Sequence, residues 1–334
     1  MRVLCLGSLN LDHVYKVHHI VRPGETISCE SLHDFCGGKG LNQSIALARA
    51  GAEVYHAGKV GADGEVLLQR LREAGVNVEH TKVEQGVPTG HAIIQVDANG
   101  QNSIVIAGGA NVAITEADID EILRRFGEGD LLLLQNETNN IAYAIQKAHE
   151  KGMQVALNPS PIDSELASMP ALQYVDCFIM NEIEGNALTG EKEGNAICKA
   201  MHEKYPGCKV MLTLGEMGCI YHDGKATYSH GIYAVQAVDT TAAGDTFTGY
   251  FLACMGEGLP IEKVLELSSK ASALAVSRAG AKRWKHPTSS LRRADRSRVK
   301  APIFVFKNGT AQGFKPPCAV PILPSSPPQI ASKG

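Results

Sequence analysis

Two aspartates six residues apart flank a run of small residues in 239-DTTAAGDTFTGYF-251. Phe247, Tyr250, Phe251 and Met255 follow at helical spacing, which predicts a helix beginning near Ala243. The free N–H groups and positive dipole end of such a helix point back over Ala242, Ala243 and Gly244. Small side chains there let an anion approach the backbone, which suits a phosphate or the charge that builds on a phosphoryl group in transfer. The same dipole would keep Asp245 ionised, so that it could accept a proton from an attacking hydroxyl. Asp245 could equally be a helix N-cap, and this stretch by itself favours that plainer role slightly.

Two further stretches could carry chemistry. In 36-CGGKGLNQSIALARAG-51 a glycine pair enters a helix. The pair permits close approach of a ligand, and Lys39 and Asn42 offer donors. The GxxxxGK[ST] spacing of a Walker loop is absent, and a flexible loop with a solvated lysine is the competing reading. In 181-NEIE-184 an amide and a carboxylate three apart on a first helical turn could hold a hydrated magnesium. A capping box explains the same pair. The glycines of 58-GKVGADG-64 have the wrong spacing for a dinucleotide loop.

The elements that must position these residues read as an α/β alternation. Candidate strands lie at 2–8, 53–58, 130–135, 153–158, 176–181 and 209–215, with helices near 40–50, 63–74, 116–126, 138–151 and 194–204. The strands are continuously apolar, as in a mostly parallel sheet covered by helices on both faces. The expected fold is therefore doubly wound α/β. That places Asn181 and Glu184 at the carboxyl end of a strand, where open α/β sheets bind ligands. Segments 11–35 and 90–110 lack partner helices. The second reads as a hairpin turning at Asp97-Ala98-Asn99-Gly100. They predict a small separate sheet that could serve as a lid, with an edge extension of the main sheet as the alternative.

Composition narrows the classes. The 334 residues are 44% hydrophobic and 20% charged, ordinary for a globular chain. No apolar run approaches the ~20 residues that span a bilayer. Nine scattered cysteines without a CxxC pair predict reduced core thiols and a cytoplasmic chain, with the nucleus also open. Twelve histidines show no metal-ligand spacing for zinc. No membrane or nucleic-acid partner is expected.

Together the stretches resemble the paired signatures of the ribokinase-like carbohydrate kinase family: Gly37–Asn42, then Asp239–Asp245 far downstream. The motifs 7-GSLNLD-12, 135-QNE-137, 158-NPSP-161, 181-NEIE-184 and 213-TLGEMG-218 agree in order, from Arg2 to about Ala281. The resemblance implies ATP-dependent phosphorylation of a sugar primary hydroxyl, with ribose the first expectation. A fructokinase, a nucleoside kinase or a sugar-binding form with impaired catalysis are the alternatives. It implies that Asp245 is the catalytic base and that the N–H groups of Ala242, Ala243 and Gly244 form the anion hole. Asn10, Asp12, Gly38, Lys39, Asn42 and Glu137 match sugar-contacting positions. Asn181, Thr213, Gly215 and Gly244 match the nucleotide side, and Glu184 matches a magnesium position acting through water. Asp239, Thr241 and, more weakly, Gly280 match ligands of a monovalent cation, usually potassium. The lid segments match a closure that also forms a homodimer contact.

The likeness lapses after Ala281. Family members usually continue with a Ser-Ile/Val-Pro run and an acidic helix, but this chain has 282-KRWKHPTSSLRRADRSRVK-300, with Trp284 where a serine is expected. Residues 282–334 hold 11 of the 32 Lys and Arg, a single acid, Asp295, and eight of the fifteen prolines. Their net charge is +10 against −13 for the rest. This segment is expected to be poorly ordered, and the charge break favours a C-terminus replaced by splicing or a frame change. Translation of the other two frames and neighbouring exons past codon 281 is expected to reveal a Ser-Ile-Pro-like continuation; its absence from all of them ends that reading.

Overall fold

The computed structural model describes residues 1–236 and 242–277, and the backbone of 304–307. The strands are β1 (Arg2–Leu6), β2 (Asn10–Lys16), β3 (Ser31–Gly37), β4 (Glu53–Val60), β5 (Asn77–Val83), β6 (Gly90–Val96), β7 (Asn102–Ala107), β8 (Leu131–Gln135), β9 (Gln154–Asn158), β10 (Cys177–Asn181), β11 (Lys209–Thr213), β12 (Cys219–His222), β13 (Ala226–His230) and β14 (Phe304–Lys307). The helices are α1 (Lys39–Arg49), α2 (Glu65–Glu73), α3 (Glu116–Leu123), α4 (Ile141–Glu150), α5 (Ser164–Ala167), α6 (Glu182–Thr189), α7 (Gly194–Lys204), α8 (Ala243–Gly256) and α9 (Ile261–Val276).

The large sheet runs β14-β13-β12-β11-β10-β9-β8-β1-β4-β5. From β11 to β5 every pairing is parallel, and β12 to β14 add an antiparallel edge. Successive residues of one strand serve opposite layers. Val3 and Cys5 join a core with α1, α2, α8 and α9. Leu4 and Leu6 join a second core with α3, α4 and α7. Burial of both faces is why these strands read as unbroken apolar runs. The six strands expected from sequence are all present. β5, the β12–β13 edge and α9 were not anticipated: β5 is mostly polar, NVEHTKV, and half exposed, so it lacks the apolar signal of its neighbours. Of the expected C-terminal segment, four residues form β14; the remainder lies outside the described residues.

The two segments without partner helices form the separate sheet, ordered β3-β2-β6-β7. It begins earlier than the sequence suggested, because Asn10 pairs with both Gly37 and Gly90 at its root. The β6–β7 turn is built as expected: Gly100 has φ 79°, and the Asp97 carboxylate accepts from the Asn99 and Gln101 N–H groups. Leu32, Ile93, Ile104, Val105 and Ile106 expose their side chains on this sheet. Eight described cysteines are free thiols, six of them buried. Among the described residues no helix is long and apolar enough to cross a membrane.

In the large sheet β1 lies between β4 and β8, so the chain order reverses there, the point where such sheets open a crevice at their carboxyl edge. Register aligns Gln135 with Asn158 and Asn181 with Thr213. The apolar strands thus end in a rim of polar side chains. Above that rim α8 packs on α1 through Gly249, where an added Cβ would lie 2.4 Å from Ala46 Cβ and 2.7 Å from the Leu47 amide nitrogen. Backbone cannot yield as a side chain does, so Gly249→Val is expected to lower stability by about 3 kcal/mol. Urea unfolding should show a reduced midpoint at unchanged slope; an unaltered midpoint would mean that the helices can separate freely.

Candidate active site

α8 begins at Ala243, with Ala242 as N-cap and no side-chain cap. The helix is apolar around most of its surface and buried, so its first turn is fixed by packing. Asp245 therefore does not cap it. The buried carboxylate instead accepts hydrogen bonds from α1: Asn42 Nδ2 at 3.1 Å to Oδ2 and Gln43 Nε2 at 2.9 Å to Oδ1. Burial raises the Asp245 pKa above the ordinary carboxylate value. The Lys39 charge and the bonds from Gln43 and Asn42 oppose that rise, and the Glu137 charge adds to it.

Gln43 is the residue the sequence reading missed. It is fully buried. Its Nε2 also donates to Asn158 Oδ1 at 3.1 Å, and its Oε1 accepts from Gln135 Nε2 at 2.8 Å. Asn158 is fixed in turn by donating to the Ile179 carbonyl at 2.8 Å. This amide chain ties the carboxyl ends of β8 and β9 to Asp245. No motif pattern marks such a chain, since the side chains it joins lie up to 202 residues apart.

A cleft of about 210 Å³ opens beside Asp245, bringing Lys39, Asn181, Glu184, Thr213 and Gly244 together with it. Asn158, Ser160 and Thr248 line it too, and no role was foreseen for them. A Cβ built on Gly244 meets nothing within 4 Å, so the backbone here faces open space. Ala242 and Ala243 lie at the helix start but do not line the cleft. Gly215 heads the turn Gly215–Met217 with φ 54° and also stays outside the lining.

The second group clusters where the small sheet meets the large one. Glu137 accepts from the Ser8 hydroxyl and, at 3.0 Å, from the Lys39 N–H. Gly38 has φ 94°, and its Cβ would lie 2.9 Å from the Ser8 carbonyl oxygen. Glycine is needed there for both conformation and contact. On β2, Asn10 is buried, and Asp12 has its pKa raised to about 6 by burial and the Glu137 charge, against the pull of His13.

Asn181 and Glu184 form the capping box in full. Glu184 N–H donates to Asn181 Oδ1 at 2.9 Å, while Glu184 Oε2 and Oε1 accept from the Asn181 N–H and Nδ2 at 2.9 and 3.0 Å. Both carboxylate oxygens are thus engaged within the cap, although the pair lines the cleft. The remaining expected cation ligands, Asp239, Thr241 and Gly280, lie outside the described residues. Among the described residues no group of three or more His, Cys, Asp or Glu is placed to hold a metal.

The model of the pfkB family of carbohydrate kinases matches residues 1–288. The chain belongs to this family. It is similar to the ribokinase of Haemophilus influenzae, 35% identical over 287 residues that cover 83% of this chain and 92% of that one. Among solved structures, it resembles ribokinase from Cryptococcus neoformans in complex with ADP, at 32% identity and TM-score 0.75, with 87% of this chain and 99% of the other covered. It also resembles Arabidopsis thaliana ribokinase complexed with ribose and ATP, at 30% identity and TM-score 0.75, covering 87% and 97%. The protein is thus a carbohydrate kinase with the ribokinase-like fold, and the cleft beside Asp245 is its candidate active site.

Because the Gln43 bond favours the ionised carboxylate, removing it shifts the Asp245 pKa further upward. Gln43→Leu is expected to move the acid limb of kcat to higher pH and to lower kcat at neutral pH by roughly tenfold. An unmoved limb in the pH–kcat profile would show that Gln43 does not act on the carboxylate.

Proposed function

We propose that the protein transfers the γ-phosphoryl group of ATP to the primary hydroxyl of D-ribose, giving D-ribose 5-phosphate and ADP. The observation that carries this reading is the buried Asp245 carboxylate, held by Asn42 and Gln43 at the open first turn of α8. The ribokinase relatives support ribose as the sugar.

The reaction needs a proton acceptor beside the attacking hydroxyl and fixed positive potential where charge develops on phosphorus. Asp245 takes the hydroxyl proton as the oxygen attacks the γ-phosphorus and the bond to the leaving ADP oxygen breaks. The N–H groups at the start of α8, from Ala242 to Gly244, would stabilise the charge on the transferring group, with Gly244 the one of the three that lines the cleft. Lys39 adds a charge felt by Asp245 and lines the cleft, which suits it to the same phosphoryl. Burial of Asp245 strengthens it as a base and dries its surroundings.

The sugar lies between Asp245 and the small sheet, contacted by Asn10, Asp12, Gly38, Lys39, Asn42 and Glu137. A polyol needs several fixed donors and acceptors, and such a site rejects sugars that leave one unpaired. Asn181, Thr213, Gly215 and Gly244 lie on the nucleotide side. Magnesium would neutralise charge on the nucleotide phosphates. Glu184 faces the cleft with both oxygens held by Asn181, which fits contact through water rather than direct ligation. A potassium ion would lie near Asp239, Thr241 and Gly280.

Coupled ADP release with ribose, fructose and adenosine, with and without potassium, separates the candidate activities; the highest kcat/KM is expected with ribose. Asp245→Asn should reduce kcat by at least ~10³-fold while ribose affinity stays within a few-fold by calorimetry. Near-normal turnover in that variant refutes Asp245 as the base, and preference for adenosine refutes the sugar assignment.

A further inference from the structure

Asn111 lies in the turn Gly109–Val112 that follows β7, is 1% exposed, and belongs to none of the motifs above. Its three amide hydrogen bonds reach across about a hundred residues. Oδ1 accepts from the Leu9 N–H at 2.9 Å, and Nδ2 donates to the Leu9 carbonyl at 3.2 Å and to Asn10 Oδ1 at 2.7 Å. The site is crowded: a Cβ on Gly90 would come 2.1 Å from Asn111 Nδ2 and 2.5 Å from Asn10 Oδ1. Three segments of the small sheet therefore converge here, the start of β2, the start of β6 and the turn leaving β7.

The order of donors and acceptors admits a single arrangement. A backbone N–H can only donate, so the Leu9 N–H must face Asn111 Oδ1. That orients the Asn111 amide and turns its Nδ2 toward Asn10. A donor there requires Asn10 to offer its oxygen. Asn10 Nδ2 is left as the group free to meet a ligand, and among the described residues it has no partner. Asp12, two residues along β2, points to the same face and when ionised can only accept.

We infer that Asn111 is a positioning residue for the sugar site: through the Leu9 backbone it fixes the Asn10 amide so that Nδ2 donates to a sugar hydroxyl oxygen. The inference rests on the proposed sugar contact of Asn10. It also assigns a polarity to that contact, a donor from Asn10 beside an acceptor from Asp12. A hydroxyl satisfies both, whereas a ketone or ether oxygen satisfies the donor alone.

The experiment is a double-mutant cycle in the full-length protein, read as KM for ribose and KM for ATP. Asn10→Ala is expected to raise the ribose KM at least tenfold with the ATP KM unchanged. Asn111→Asp keeps the acceptor for Leu9 but removes both donated bonds, and should raise the ribose KM comparably. In the Asn10→Ala background it should add less than twofold, because Asn111 acts through Asn10. Multiplicative effects, or equal rises in both KM values, overturn the inference and leave the sugar contact standing. An unchanged ribose KM in Asn10→Ala removes the contact itself, and the inference with it. Asn10→Asp provides a second test should the Asn111 variant not fold. Asn111 then still holds one oxygen of residue 10, the other meets the sugar as an acceptor, and the ribose KM rises at least as much as in Asn10→Ala. A ribose KM near that of the unaltered protein for Asn10→Asp overturns the assigned polarity.

Discussion

The structure depends on one buried carboxylate being held by a helix from the other end of the chain. Asp245 belongs to α8, and its hydrogen-bond donors belong to α1. The two helices meet closely enough to require glycine at residue 249, and that approach brings Asn42 and Gln43 into range. An ionised carboxylate at this depth is unfavourable. Its raised pKa means that folding stability falls as pH rises from the ordinary carboxylate value through the raised one. The hydrogen bonds and the Lys39 charge limit that loss without removing it, so the site keeps a base stronger than a solvated aspartate at some expense of stability.

The rest of the site follows from where the strands end. Parallel pairing from β11 to β5 directs every carboxyl end to one edge. Gln135, Asn158, Asn181 and Thr213 appear there because the apolar runs stop at the same level. The polar rim is a consequence of register, and the amide chain through Gln43 turns it into a support for Asp245. The small sheet starts close by, since only three residues separate the end of β1 from β2.

Much of this was legible in the sequence. Unbroken apolar strands identified the parallel sheet because both faces are buried, and the helix start at Ala243 followed from the spacing of Phe247, Tyr250 and Phe251. Lys39, Asn181, Thr213, Gly244 and Asp245, which the family motifs single out for sugar, nucleotide or catalysis, line one cleft in the structure. Asp245 was not separable from an N-cap until its partners were seen. For Asn181 and Glu184 both readings survive, since the capping box is formed and still lines the cleft. Gln43 and Asn111 were invisible because a buried amide is recognised by what it touches, and its partners lie far away in the chain. β5 escaped because an edge strand with polar residues has no periodic signature. The family match itself runs only to residue 288, close to where charge and proline content change.

Asn10 and Asp12 are residues of β2, and β3 runs through Gly38 directly into the helix that carries Lys39 and Asn42. The small sheet and several of the proposed sugar contacts thus share one continuous piece of chain. A sheet tilted away would carry Asn10 and Asp12, two of the six proposed sugar contacts, out of place with it. With the sheet in that position, ATP would face an incomplete centre, and water would find little there to help it in place of the alcohol.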